Sequence, residues 1–103
     1  MQAVLDHHIR TIPDVRGGRP HIASTRITVA DIVIMHLRLG QSLEQIAGKY
    51  DLDLAGVYAA MAYYYDHRPE IDGSIEADEA FAEAFGRNNP LLLQAKLRAL
   101  QSG

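Results

Sequence analysis

Arg10, Arg16, Arg19 and Arg26 fall within residues 10–28 against a single acid, Asp14. Guanidinium groups form forked, charge-assisted hydrogen bonds. Such a cluster suits an anionic ligand such as phosphate, or the carbonyls of the chain's own loop. Arg19 stands beside Gly17-Gly18 in a stretch, Pro13 to Pro20, whose glycines and prolines predict an exposed turn with positive φ. It is the better phosphate candidate. Arg26, between Thr25 and Ile27, suits phosphate contact too, but is favoured as a brace that donates to backbone carbonyls. No Lys-Ser or Lys-Thr pair follows the glycines, so this is not a nucleotide-binding loop of the P-loop kind. The opposite charge gathers at residues 70–83, where Glu70, Asp72, Glu76, Asp78, Glu79 and Glu83 meet no Lys or Arg. Oppositely charged ends suit different partners; solvated surface is the plainer explanation.

His7, His8, His21, His36 and His67 do not have metal-site spacing, and the absence of Cys excludes disulfides and thiolate ligands. His7 and His8 are expected to point opposite ways in a strand. No Ser, His and acid arrangement suggests a nucleophilic triad. The expectation is a binding protein without cofactor, metal or catalytic residues, not an enzyme. Tyr63-Tyr64-Tyr65 has the chemistry to stack on bases, but such a run more often packs a helix end and keeps its hydroxyls wet.

The elements that must position these groups follow from pattern. A chain of 103 residues, 48% hydrophobic, fits one domain with a helical tail. Its formal charge of -3 counts against strong nucleic-acid binding by the chain alone. No apolar run is long enough to span a bilayer, and Met1 to Arg10 do not read as a secretory signal, so a cytoplasmic protein with no membrane partner is expected. Short strands are expected at His8–Ile12 and His21–Ala23. Thr28 with Asp31 reads as a capping box opening a helix over Val29–Leu39, closed by Gly40. That helix is apolar nearly all round, which predicts burial or a homodimer interface.

Ser42 and Gln45 form a second capping box, followed by Leu43, Ile46, Ala47 and Tyr50 at helical spacing. Asp53 caps a third helix, Leu54–Tyr65, with Leu54, Val57, Met61 and Tyr64 or Tyr65 as its buried stripe and Pro69 as its stop. A polar linker, Arg68–Ser74, then leads to a helix over Ile75–Gly86 with Phe81 and Phe85 on one side. Asn89 and Pro90 restart a last helix over Leu91–Leu100. The fold class is therefore mainly α: a trihelical, homeodomain-like helix-turn-helix core with a short N-terminal β element and C-terminal helices. The division is 1–68 for the β element and core, and 69–103 for the C-terminal segment.

Gly18-Arg19-Pro20-His21-Ile22 and Thr25-Arg26-Ile27-Thr28-Val29, continued by Gly40 to Ile46 and Leu52 to Tyr58, resemble the family called domain of unknown function 433 over residues 8–66. The resemblance implies an antitoxin that neutralises a PIN-like ribonuclease toxin and binds its own operator DNA as a dimer. It implies DNA contacts from Arg19, Arg26, Ser42, Lys49 and Tyr58, and toxin contacts from Phe81, Phe85, Arg87, Leu93, Lys96 and Leu97. The alternative is a stand-alone transcription regulator or interaction scaffold without a toxin. The chain departs from the family pattern in having Ser24 where Gly is usual. In addition, its expected recognition helix, 54–65, has no Arg or Lys to read base edges.

Overall fold

The computed structural model describes residues 7–88 and is mainly helical, with a short two-stranded sheet at its N-terminal end. Strand β1, Ile9–Arg10, pairs antiparallel with β2, His21–Ile22, placing Ile9 opposite Ile22 and Arg10 opposite His21. A further bridge joins His21 to Thr28. The strands are shorter than their patterns predict. His7 and His8 lie in a helical turn, not a strand, and their rings meet edge-on with centroids 4.9 Å apart.

Helix α1 spans Val29–Val33 and continues as a π-helical turn over Ile34–Arg38. Both arms of its capping box form: the Thr28 hydroxyl accepts from Asp31 N–H and the Asp31 carboxylate accepts from Thr28 N–H, each at 3.0 Å. The expected single α-helix to Leu39 thus loosens at its last turn. Leu39 N–H donates to the Ile34 carbonyl, and His36 Nδ1–H donates to the Gln41 carbonyl at 2.7 Å, closing the end. Gly40, at φ 74°, turns the chain away.

Helix α2, Leu43–Tyr50, opens on the complete Ser42–Gln45 box, whose bonds measure 3.0 and 2.8 Å. It stops at Asp51 in the left-handed region, φ 54°. Asp53 then accepts from Ala55 N–H to open α3, Leu54–Asp66. Together α2, the turn and α3 form the helix-turn-helix. The core lies where α1, α2 and the small sheet pack on α3. Val29, Ile32, Ile46 and Val57 are fully buried there. Burying an aliphatic side chain of that size contributes ~1.5–3 kcal/mol. Gly56 permits the close approach of α3 to β2, because a Cβ on it would lie 3.1 Å from Ile22 Cγ2.

Three expectations need correcting. Leu54 is exposed, and the buried side of α3 carries Val57, Ala59, Ala60, Met61 and Tyr64. Tyr50 of α2 is exposed as well. Val29, Ala30, Ile32 and Val33 of α1 are buried, and Leu37 and Leu39 beyond them are exposed. Finally, Arg68–Ser74 is not a linker. Helix α4 runs over Arg68–Asn88 and takes up both that stretch and the expected 75–86 helix. Pro69 falls in the first turn of α4, where the N–H it lacks would have no intrahelical partner. His67 marks the break from α3, its N–H reaching back to the Tyr63 and Tyr64 carbonyls. The chain divides into two compact units between Ile71 and Asp72. The expected last helix, 91–100, lies outside the described residues.

Candidate functional site

The arginine-bearing loop is built from three successive residues with positive φ: Arg16 at 50°, Gly17 at 69° and Gly18 at 79°. This tight turn sends the Arg16 side chain back over the loop. Its Nη1 donates to the Arg26 carbonyl at 2.9 Å and to Asp31 Oδ2 at 3.1 Å. The brace assigned to Arg26 is therefore made by Arg16. Arg26 supplies only its carbonyl and leaves its side chain exposed. Arg19 is half-buried; its carbonyl accepts from Nδ1–H of the buried His21 at 3.1 Å. The sequence places Arg16 in the basic cluster and predicts the Gly17-Gly18 turn, but not that Arg16 rather than Arg26 reaches back across it, because that depends on how the turn brings residue 16 over residues 26 and 31.

The stretch from Thr25 to Val29 is a folding device. The Thr25 hydroxyl donates to the Ile22 carbonyl at 2.8 Å and accepts from Ile27 N–H at 3.0 Å. Thr28, itself buried, caps α1, and Val29 enters the core. Ser24 sits at φ 64°, in the left-handed region that glycine enters without steric cost.

On the helix-turn-helix, the expected DNA-facing side chains already hold partners within the chain. Ser42 Oγ accepts from Gln45 N–H as a cap. Lys49 Nζ lies 5.4 Å from the centroid of the Tyr50 ring. The Tyr58 hydroxyl donates to Glu44 Oε1 at 2.8 Å, linking α3 to α2 across their outer side. This bond draws the Glu44 carboxyl below its ordinary range and raises the Tyr58 phenol. Leu54, Tyr58 and Tyr65 are 40%, 50% and 58% exposed. Of the tyrosine run, Tyr64 is buried and Tyr63 stacks on His67 at 4.0 Å. Burial, followed by the negative charge of Glu70, pushes the Tyr63 phenol up.

In the distal part of α4, Phe81 and Phe85 stack one turn apart, with ring centroids 6.3 Å apart, and Phe81 is 71% exposed. Arg87 Nη1 donates to Glu83 Oε1 at 3.3 Å across the next turn. Of the other residues implied to touch a toxin, Leu93, Lys96 and Leu97 lie outside the described residues. Among the described residues, no three of His, Cys, Asp or Glu gather to hold a metal ion. No described helix is long and apolar enough to cross a membrane.

The family profile described as protein of unknown function, DUF433, matches residues 9–64. The chain belongs to the DUF433 family. A crystal structure of a DUF433 member from Anabaena variabilis ATCC 29413 is similar at 28% identity and a TM-score of 0.61, with 73% of this chain and 74% of that one covered. No curated protein matches the chain. The DUF433 match runs from β1 to Tyr64 of α3. It therefore takes in the braced loop and most of the helix-turn-helix, and ends before α4.

Proposed function

We propose that this DUF433 protein is a cytoplasmic antitoxin that neutralises a PIN-like ribonuclease by protein–protein contact through its C-terminal segment. The observation that carries this reading is the Phe81–Phe85 pair. An aromatic of this size left 71% exposed on an otherwise acidic helix forgoes burial that a partner's apolar groove would supply. The neighbouring Arg87 suits the acidic metal pocket that the family resemblance implies for the toxin. Its present bond to Glu83 is solvent-exposed and easily exchanged. The exposed Leu37 and Leu39 support a homodimer, which light scattering at micromolar concentration tests.

Co-purification with the product of the neighbouring gene, followed by a ribonuclease assay, tests the reading. The wild-type chain should form a complex and suppress cleavage, and Phe81→Ala/Phe85→Ala should restore it. Failure to form a complex overturns the reading. The helix-turn-helix geometry favours a second one: a transcription regulator or scaffold acting without a toxin, in which Arg19 and Arg26 contact operator phosphate. Salt-sensitive operator binding by the chain alone would favour it.

A further inference from the structure

We propose that the outward side of α3, the side a DNA-reading helix-turn-helix lays in the major groove, docks a protein segment with aliphatic side chains flanked by Lys or Arg. This rests on the antitoxin reading and assigns the segment to the ribonuclease.

The stripe has the right shape. At 100° per residue, Leu54, Tyr58 and Tyr65 fall within about 40° of one another around the helix, and they extend about 16 Å along it. All three are exposed. Tyr58 is held in place by its 2.8 Å bond to Glu44, so binding orders it at little entropic cost. Tyrosine is also among the side chains that most often dominate protein interfaces.

The charge has the wrong sign for DNA. Between Ser42 and Asp66 the chain carries Glu44, Asp51, Asp53 and Asp66, all exposed, against Lys49 alone. A duplex presents one negative charge per about 1.7 Å of its axis and would be repelled by such an element. Base edges are read chiefly by Arg, Lys, Asn and Gln, and α3 has none of them. The same acids attract a cationic protein segment and steer its approach.

The test uses the full chain and the purified ribonuclease encoded by the neighbouring gene. Leu54→Ala/Tyr65→Ala removes two side chains that are 40% and 58% exposed, so the circular dichroism spectrum should be kept and the melting temperature should fall by only about a few degrees. Its affinity for the ribonuclease should fall about thirtyfold or more. Asp66→Lys should weaken binding severalfold at low salt, with the effect fading as salt is raised. If the double variant binds like wild type, this inference is lost while the pairing stands. If the wild-type chain forms no complex, the pairing fails and this inference with it. If the double variant instead abolishes binding to a duplex that wild type holds, or dissociates a homodimer, the surface has another occupant and the proposal is overturned.

Discussion

Arg16 Nη1 lies 3.1 Å from Asp31 Oδ2, and the same oxygen accepts from Thr28 N–H at 3.0 Å. One carboxylate oxygen therefore caps α1 and anchors the preceding loop, so the loop's position is tied to the start of the helix. The Arg26 carbonyl, 2.9 Å from the same guanidinium nitrogen, fixes the loop's other side.

Arg16→Ala should destabilise the fold by about 1 kcal/mol, measured as a shift in the urea midpoint with an unchanged slope. The Arg16 and Asp31 side chains are 36% and 35% exposed, so solvent screening keeps the effect small. Alanine leaves the left-handed backbone at position 16 as it is and isolates the side chain's part. Asp31→Ala should cost more, because it removes the cap as well.

Ser24→Gly should stabilise the protein by about 0.5–1 kcal/mol. A residue with a Cβ in the left-handed region carries a cost of ~1–2 kcal/mol, offset in part by the greater freedom of glycine in the unfolded chain. Ser24 is exposed and at φ 64°, so relief of the backbone is the main change. Thermal unfolding checks it: the midpoint should rise by a few degrees. A fall would mean that the serine side chain contributes more than the turn costs.

Gly56→Val should cost about 2 kcal/mol, since a Cβ added at that position would stand 3.1 Å from Ile22 Cγ2 and the branched carbons must push α3 off the sheet. Gly56→Ala should be close to neutral: a shift of Ile22 by a few tenths of an ångström makes room, and alanine's better helix propensity offsets the strain. Chemical denaturation of the pair of variants separates the two effects.

The helix starts were legible because caps are local. Thr28, Ser42 and Asp53 each bond to a backbone N–H two or three residues ahead, so their types and spacing suffice. The buried side of α3 was legible in Val57, Met61 and Tyr64, but Leu54 does not belong to it and Ala59 and Ala60 do. The helix is apolar on most sides, so packing against α1 and the sheet decides how far the buried arc extends. Pro69 was misread for a related reason: proline ends one helix or begins the next, and the sequence does not say which. Of the candidate site, the Phe81–Phe85 pair, with Phe81 exposed and Phe85 half-buried, was visible from its spacing. The use of Tyr58 within the chain was not, because Glu44 reaches it across fourteen positions of sequence.

The Glu44–Tyr58 bond predicts a pH window. The carboxyl of Glu44 lies below its ordinary 4.5, chiefly because it accepts from Tyr58, so the bond's contribution to stability is present above the unfolded value and is lost as pH falls through the lowered folded one. The Tyr58 phenol lies above its ordinary 10.0, chiefly through the same bond, so its contribution is present below the unfolded value and is lost as pH rises through the raised folded one. Both groups are at the surface, so the stability change is small and the titrations themselves are the better readout. In an NMR titration, Tyr58→Phe should bring the Glu44 carboxyl back up toward its ordinary value, and Glu44→Gln should bring the Tyr58 phenol down. If neither moves, the hydroxyl and carboxylate are not bonded in solution, and Tyr58 is free to swing away from α2.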